Sequence, residues 1–301
     1  MPSKRSISLI VGDPPGSSAD SIARRLARYL TGELGQNVIV DNRAADGEDV
    51  AALSVAEAAP DGYTAYIASR STVFHRALCD DPEYDFIRDF SPVAMITHVP
   101  YVLVTGKHIP SVTFREILEQ DRRVQYGFTC ASGPVGSTPQ LILETLREQA
   151  NLNWLDAPYD ADSTSVAEVT SGSADFAILG APSALPYLGP RGLRVLAVFL
   201  NGRPPFLPAV PSIAEFGFAD AEAQGWFALV APRRTPSHVV ARLNYGVNKA
   251  LVAVSVGKKL MQSGYMIPES KNTPETLKAF IEQDIDRWIK TPQPPKVAIA
   301  Q

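Results

Sequence analysis

Apolar positions along the chain follow two periods that alternate. Ile7-Ser8-Leu9-Ile10-Val11 is a short, nearly continuous apolar run and reads as a buried strand. After a Gly/Pro/Ser turn, Ala19, Ile22, Ala23, Leu26, Ala27 and Leu30 fall at helical spacing. Residues 38–40 predict the next strand. Residues 50–59 predict a helix stopped by Pro60, and the Asp61-Gly62 turn leads into a third strand over 63–68. A second cycle predicts strands at 99–104, 124–128, 176–179 and 194–199, with helices at 114–120, 140–149 and 163–171. The segment 203–211 holds too many prolines for a regular element and reads as a connector. A strand at 226–231 and amphipathic helices at 237–253 and 273–288 follow, then a Pro-rich tail over 291–301 that should be loosely held. Strands alternating with helices predict an α/β protein with a largely parallel sheet.

The chain has 301 residues, 45% of them hydrophobic, enough for one large or two medium domains and too apolar for global disorder. A net charge of −4 supplies no long-range positive field, which argues against nucleic acid as a partner. Arg24, Arg25 and Arg28 share one helix face and read as solvated. The longest apolar run, 195–200, falls far short of the roughly 20 residues that span a bilayer, so no direct membrane insertion is expected. Cys79 and Cys130 form no Cys-x-x-Cys motif and read as small buried residues. Met1 to Ser6 includes basic residues but runs straight into the first strand without a signal-peptide core.

Catalytic signatures are missing. There is no Gly-x-Ser-x-Gly, no Gly-x-Gly-x-x-Gly and no Gly-Lys-Ser/Thr. His75, His98, His108 and His238 are scattered without ligand spacing, so no metal is expected. Carboxylate runs at 80–81 and 282–286 read as solvated faces. No catalytic residue and no cofactor are expected.

Three segments do share a design, a turn of small residues after a strand that opens a helix. They are Gly12-Asp13-Pro14-Pro15-Gly16-Ser17-Ser18-Ala19-Asp20, Ser132-Gly133-Pro134-Val135-Gly136-Ser137-Thr138-Pro139-Gln140, and Ser163-Thr164-Ser165 after Tyr159. A helix start carries unpaired N–H groups and a positive dipole end, and small residues let an anion reach them. In open α/β sheets such loops gather at the carboxyl ends of the strands. Each could equally be an ordinary N-cap. The residues alone imply a small-anion binder.

The first of these loops, Pro14 to Asp20, resembles that of the tripartite tricarboxylate transporter receptors, the Bug family of extracytoplasmic solute receptors. Further segments match in order: Leu34-Gly35-Gln36, Asp41-Asn42-Arg43, Ala58-Ala59-Pro60-Asp61-Gly62-Tyr63-Thr64 and Asp89-Phe90-Ser91-Pro92-Val93. Ala157-Pro158-Tyr159, Pro182-Ser183-Ala184-Leu185-Pro186, Leu207-Pro208-Ala209-Val210-Pro211-Ser212, Trp226-Phe227-Ala228-Leu229 and Val240-Ala241-Arg242-Leu243-Asn244 complete the run. The similarity spans residues 6–289.

This resemblance implies a type II periplasmic-binding-protein fold, two α/β lobes around a ligand cleft. One lobe would take 1–103 plus 226–301 and the other 104–225. It implies a small carboxylate as ligand, permease subunits as partners and a periplasmic location, the signal peptide having been removed. The ligand-binding set expected is Pro15, Gly16, Ser17, Ser18, Asp20, Ser69, Arg70, Ser71, Gly136, Ser137, Thr138, Tyr159, Ala181 and Pro182. A ligand sensor, cytoplasmic or signalling, or an enzyme reusing the fold is the alternative. The chain departs from the family in three places. The usual glycine-rich turn reads Ala44-Ala45-Asp46-Gly47-Glu48-Asp49, a basic residue after Tyr159 is replaced by Asp160-Ala161-Asp162, and the loop over 128–136 is longer. Arg70 stands where a small residue is usual. It reads either as a surface arginine or as a fork for a second ligand carboxylate, which would make the ligand a dicarboxylate.

Overall fold

The computed structural model describes residues 5–44, 48–77, 84–111, 113–122, 127–134, 137–189 and 192–289, the side chains of 74–77 and 288–289 excepted. In chain order the elements are β1 (Ile7–Val11), α1 (Ser18–Leu34), β2 (Val38–Asn42), α2 (Glu48–Ala56), β3 (Thr64–Ser69), α3 (Arg70–Ala77), α4 (Phe86–Asp89) and β4 (Phe90–Thr105). Then come α5 (Phe114–Asp121), β5 (Thr129–Ser132), α6 (Thr138–Ala150), β6 (Leu155–Pro158), α7 (Asp162–Ser171), β7 (Phe176–Gly180), α8 (Ala181–Ala184) and β8 (Arg194–Val198). The chain ends with β9 (Gln224–Pro232), α9 (Ser237–Val252), α10 (Lys259–Gln262) and α11 (Pro274–Ile289). They form two compact units. Unit 1 holds the residues up to His98, Trp226–Met261 and the segment from Met266, while unit 2 holds Val99–Gly225 and Gln262–Tyr265.

In unit 1 the sheet order is β2-β1-β3-β9, with β1 parallel to β2 and β3 and β9 antiparallel to β3. Val11 pairs with Asn42 and Ile10 with Tyr66, so the carboxyl ends of the three parallel strands share one edge. α1 packs the predicted stripe of Ile22, Ala23, Leu26 and Leu30 into the core and stops at Gly35, whose φ of 65° suits glycine. α9 approaches α1 so closely that a Cβ on Gly246 would lie 2.7 Å from Leu30 Cδ2. A larger residue there would force the buried Leu30 side chain to shift.

In unit 2 the sheet order is β8-β4-β7-β5-β6, with β5 parallel to β6 and β7 and β4 antiparallel to β7 and β8. β4 begins nine residues before the predicted strand at 99, since Pro92 breaks the pattern just ahead of the buried Val93, Ala94, Met95 and Ile96. Of the strand predicted over 124–128, residues 124–126 lie outside the described residues, Gly127 and Phe128 are not strand, and β5 is Thr129–Ser132. Phe128 gives its apolar ring to a cluster instead of to the sheet, lying edge-on to Trp154 and Phe176 at 6.4 and 5.2 Å. At the centre of that cluster Trp154 stacks on Phe176, with rings 4.5 Å apart and 10° from parallel.

Trp154 is fully buried, yet its indole N–H has no hydrogen-bond partner among the described residues. Its contribution is therefore packing. Trp154→Ala should cost about 3–5 kcal/mol, and Trp154→Phe, which keeps the stack, less than half of that, in urea unfolding followed by circular dichroism. Equal losses would assign the stability to the indole nitrogen instead.

Candidate functional site

The first loop of unit 1 satisfies much of its own helix start. Ser17 caps α1, its hydroxyl accepting from the Asp20 N–H at 3.1 Å. The Asp20 carboxylate accepts from the Gly16 N–H at 3.0 Å and from Arg24 Nε at 2.9 Å. Burial pushes the Asp20 carboxyl up, but these hydrogen bonds outweigh it and hold the group below its ordinary value. Asp20, expected in the ligand set, is thus the brace of this loop, and Arg24 is its partner rather than a plain solvated residue. The Ser18 and Ala19 N–H groups have no hydrogen-bond partner among the described residues. Gly16 has a φ of 91° with nothing within 4 Å of a would-be Cβ, so the turn both requires glycine and leaves its backbone approachable.

The end of β3 lies at the same edge, and a carboxylate of the chain itself sits there. Glu48, the first residue of α2, accepts from Ser69 Oγ at 2.6 Å, from Ser71 Oγ at 2.8 Å and from Thr72 Oγ1. Gly12 abuts it, since a Cβ there would lie 2.9 Å from Glu48 Cα and Cγ. Asp13 is pushed up to about 6 by burial and by the charge of Glu48. The buried Tyr66 hydroxyl, 3.5 Å from Thr72 Oγ1, is pushed well above its ordinary value, by burial first and Glu48 second.

Arg70 does not stand on the surface. It is 4% exposed, and its Nε and Nη2 donate to the two oxygens of Asp284 at 3.1 and 3.3 Å. Trp226 Nε1 adds a bond to the same carboxylate at 2.9 Å. The edge of the guanidinium fork that the sequence reading offers to a second ligand acid is engaged by Asp284. The 282–286 run is correspondingly not all solvated face, because Asp284 is 12% exposed.

In unit 2 the parallel strands β5, β6 and β7 end at one edge, with Ser132 paired to Pro158. Ser132 Oγ and Gln140 Nε2 donate to Asp156, and the Tyr159 N–H donates to the Ser132 carbonyl at 3.1 Å. Ser137 caps α6 by backbone alone, and its buried hydroxyl has no partner among the described residues. Gly133 folds back on it, a Cβ there lying 2.5 Å from Ser137 Oγ. Thr138 opens α6, while Gly136 lies outside the described residues. Ala181 and Pro182 begin α8 directly after β7. Asp162 bonds with Ser183 there; burial pushes its carboxyl up and that bond moderates the rise. Cys130 is free and buried, a thiol pushed well above its ordinary value by burial, hence inert.

Each unit therefore gathers those of its expected residues that are described at the carboxyl edge of its own parallel strands. The family model described as tripartite tricarboxylate transporter family receptor matches residues 22–293. The chain belongs to that family. It is 33% identical over 288 residues to Protein BugT of Bordetella pertussis, covering 94% of this chain and 87% of that one. Among solved structures, Rpa4515 of R. palustris with adipate superposes with a TM-score of 0.84 at 29% identity, covering 95% and 96% of the two chains. MatC of Rhodopseudomonas palustris with bound malate gives 0.80 at 26%, covering 94% and 97%. The fold is that of the periplasmic binding proteins, and the family's members are solute-binding receptors rather than enzymes, which sets the enzyme alternative aside. Among the described residues no helix is long and apolar enough to cross a membrane.

Glu48 and Asp284 are the partners that sequence reasoning missed. Acids in a first helical turn are routine, which hides Glu48. Asp284 lies 214 residues from Arg70, and no local pattern joins them.

Two outcomes follow from these carboxylates. Arg70→Ala leaves Asp284 buried without its cation and should cost about 3–5 kcal/mol in urea unfolding, much of it recovered in Arg70→Leu/Asp284→Leu. A loss below 1 kcal/mol, as surface pairs give, would mean a solvated pair. Asp13 holds its proton more tightly in the folded than in the unfolded chain. Its favourable contribution is therefore complete below about pH 4 and is lost as the pH rises through about 6. Asp13→Asn should exceed the wild type in stability by up to about 3 kcal/mol at pH 7 and by much less at pH 4. A pH-independent difference between the two would show that Asp13 titrates normally.

Proposed function

We propose that this chain is a periplasmic receptor that captures a small carboxylate and delivers it to the permease subunits of a tripartite tricarboxylate-type transporter. The family match over most of the chain carries this reading, supported by relatives solved with malate and with adipate. A relative at 29% identity is described as a periplasmic transporter, which supports the location. The chemistry agrees with it. Once Ser17 and Asp20 have closed the first loop, the Ser18 and Ala19 N–H groups remain at the positive end of a 17-residue helix, beside an open Gly16 backbone. A ligand carboxylate accepting there gains charge-assisted bonds worth about 1.5–3 kcal/mol each. The proposed contacts in unit 1 are Pro15, Gly16, Ser17 and Ser18, and in unit 2 Ser137, Thr138, Tyr159, Ala181 and Pro182.

The test begins with a thermal-shift screen of carboxylic acids, followed by calorimetry of the best ligand. Ser18→Asp places a second negative charge where the ligand acid would lie, at a helix position that tolerates Asp. Binding should weaken at least about tenfold, or about 1.4 kcal/mol, with the melting temperature unchanged or raised. Unchanged affinity removes the first loop from the site.

A further inference from the structure

We propose that Glu48 sets the ligand class, its carboxylate filling the hydroxyl nest at the end of β3 so that unit 1 favours a carboxylate whose far end is an ammonium group over one that ends in a second carboxylate. The proposal rests on the reading of this chain as a carboxylate receptor. Ser69, Ser71 and Thr72 each carry one hydroxyl hydrogen, and all three hydroxyls are placed to donate to Glu48. With those hydrogens engaged, the three hydroxyls offer an incoming group only lone pairs, beside the negative charge of Glu48.

Among the described residues no cation lies within ion-pair distance of Glu48, and three arginines of unit 1 hold other acids. Arg24 holds Asp20, Arg43 holds Asp41 at 3.0 Å, and Arg70 holds Asp284 at 3.1 Å. Asp13, raised to about 6 partly by Glu48, adds a second acid to the same edge. Glu48 is also fixed in place, because Gly12 packs against its Cα and Cγ and Tyr66 Oη donates to its backbone carbonyl at 3.5 Å. A second carboxylate here would meet like charge and find no free hydroxyl proton. An ammonium group would bring the missing cation and three donors.

Calorimetry at neutral pH with three matched series tests this. The probes are succinate, glutarate and adipate, then 4-aminobutanoate, 5-aminopentanoate and 6-aminohexanoate, then butanoate, pentanoate and hexanoate. At the best-fitting length, the wild type should bind the amino acid at least about tenfold more tightly than the dicarboxylate or the monocarboxylate. Glu48→Gln, which keeps the shape and removes the charge, should erase that preference. Glu48→Ala, which releases the hydroxyls, should raise dicarboxylate affinity, with circular dichroism verifying the fold of both variants. A dicarboxylate or monocarboxylate that binds the wild type as tightly as the amino acid overturns the proposal, as does an unchanged ranking in Glu48→Gln. Failure of all nine probes to bind the wild type and Glu48→Ala alike overturns the carboxylate-receptor reading, and the proposal with it.

Discussion

A guanidinium that is 4% exposed cannot remain without an anion, and the fork between Arg70 and Asp284 meets that requirement in unit 1. Its geometry couples three parts of the unit. Arg70 is the first residue of α3, directly after β3; Asp284 lies on α11; and Trp226, which donates to the same carboxylate, lies on β9. Because both guanidinium bonds are directional, they fix where β3 ends and α3 begins. That junction carries Ser69, Ser71 and Thr72, so the position of the hydroxyl nest depends on a pair whose members are 214 residues apart.

A common solution recurs at the edges of both sheets. Each turn leaves polar groups that need partners, and the chain supplies carboxylates of its own. Asp20 takes the Gly16 N–H, Glu48 takes three hydroxyls, Asp156 takes Ser132 and Gln140, and Asp162 takes Ser183. These internal acids differ in how firmly they keep their charge. Asp20 has an arginine and a backbone donor, which hold it ionised despite burial. Asp13 and Asp162 are pushed the other way by burial, and for Asp13 the charge of Glu48 adds to it. The loops thus combine a stable scaffold charge with groups whose protonation responds to their surroundings.

The fold was legible in the sequence because burial and period coincide. The stripe on α1 and the run in β1 are the same residues in pattern and in structure. Reading failed where one local signal served a different end. Phe128 looks like a strand residue but belongs to the Trp154 cluster, and Pro92 concealed the first half of β4. The site was legible only in outline. Small residues and serines marked the turns, but which donors remain available depends on the carboxylates folded against them. Arg70 illustrates the limit: its sequence position at a strand end allowed a surface role or a ligand role, and the distant Asp284 places it in a buried pair.

Net charge is likewise a poor guide to what a binding edge prefers. An overall value of −4 is compatible with capturing an anion, because helix N–H groups supply a local positive field that formal charges do not record. It is equally compatible with repelling one, because a single glutamate can engage every hydroxyl proton within reach. On unit 1 both conditions occur on the same edge. The first loop offers N–H groups at Ser18 and Ala19 that have no partner among the described residues, and the end of β3 offers the acceptors of Glu48. A ligand that satisfies both must be anionic at one end and donating at the other, so the polarity of the edge is set by where hydrogens point rather than by a sum of charges.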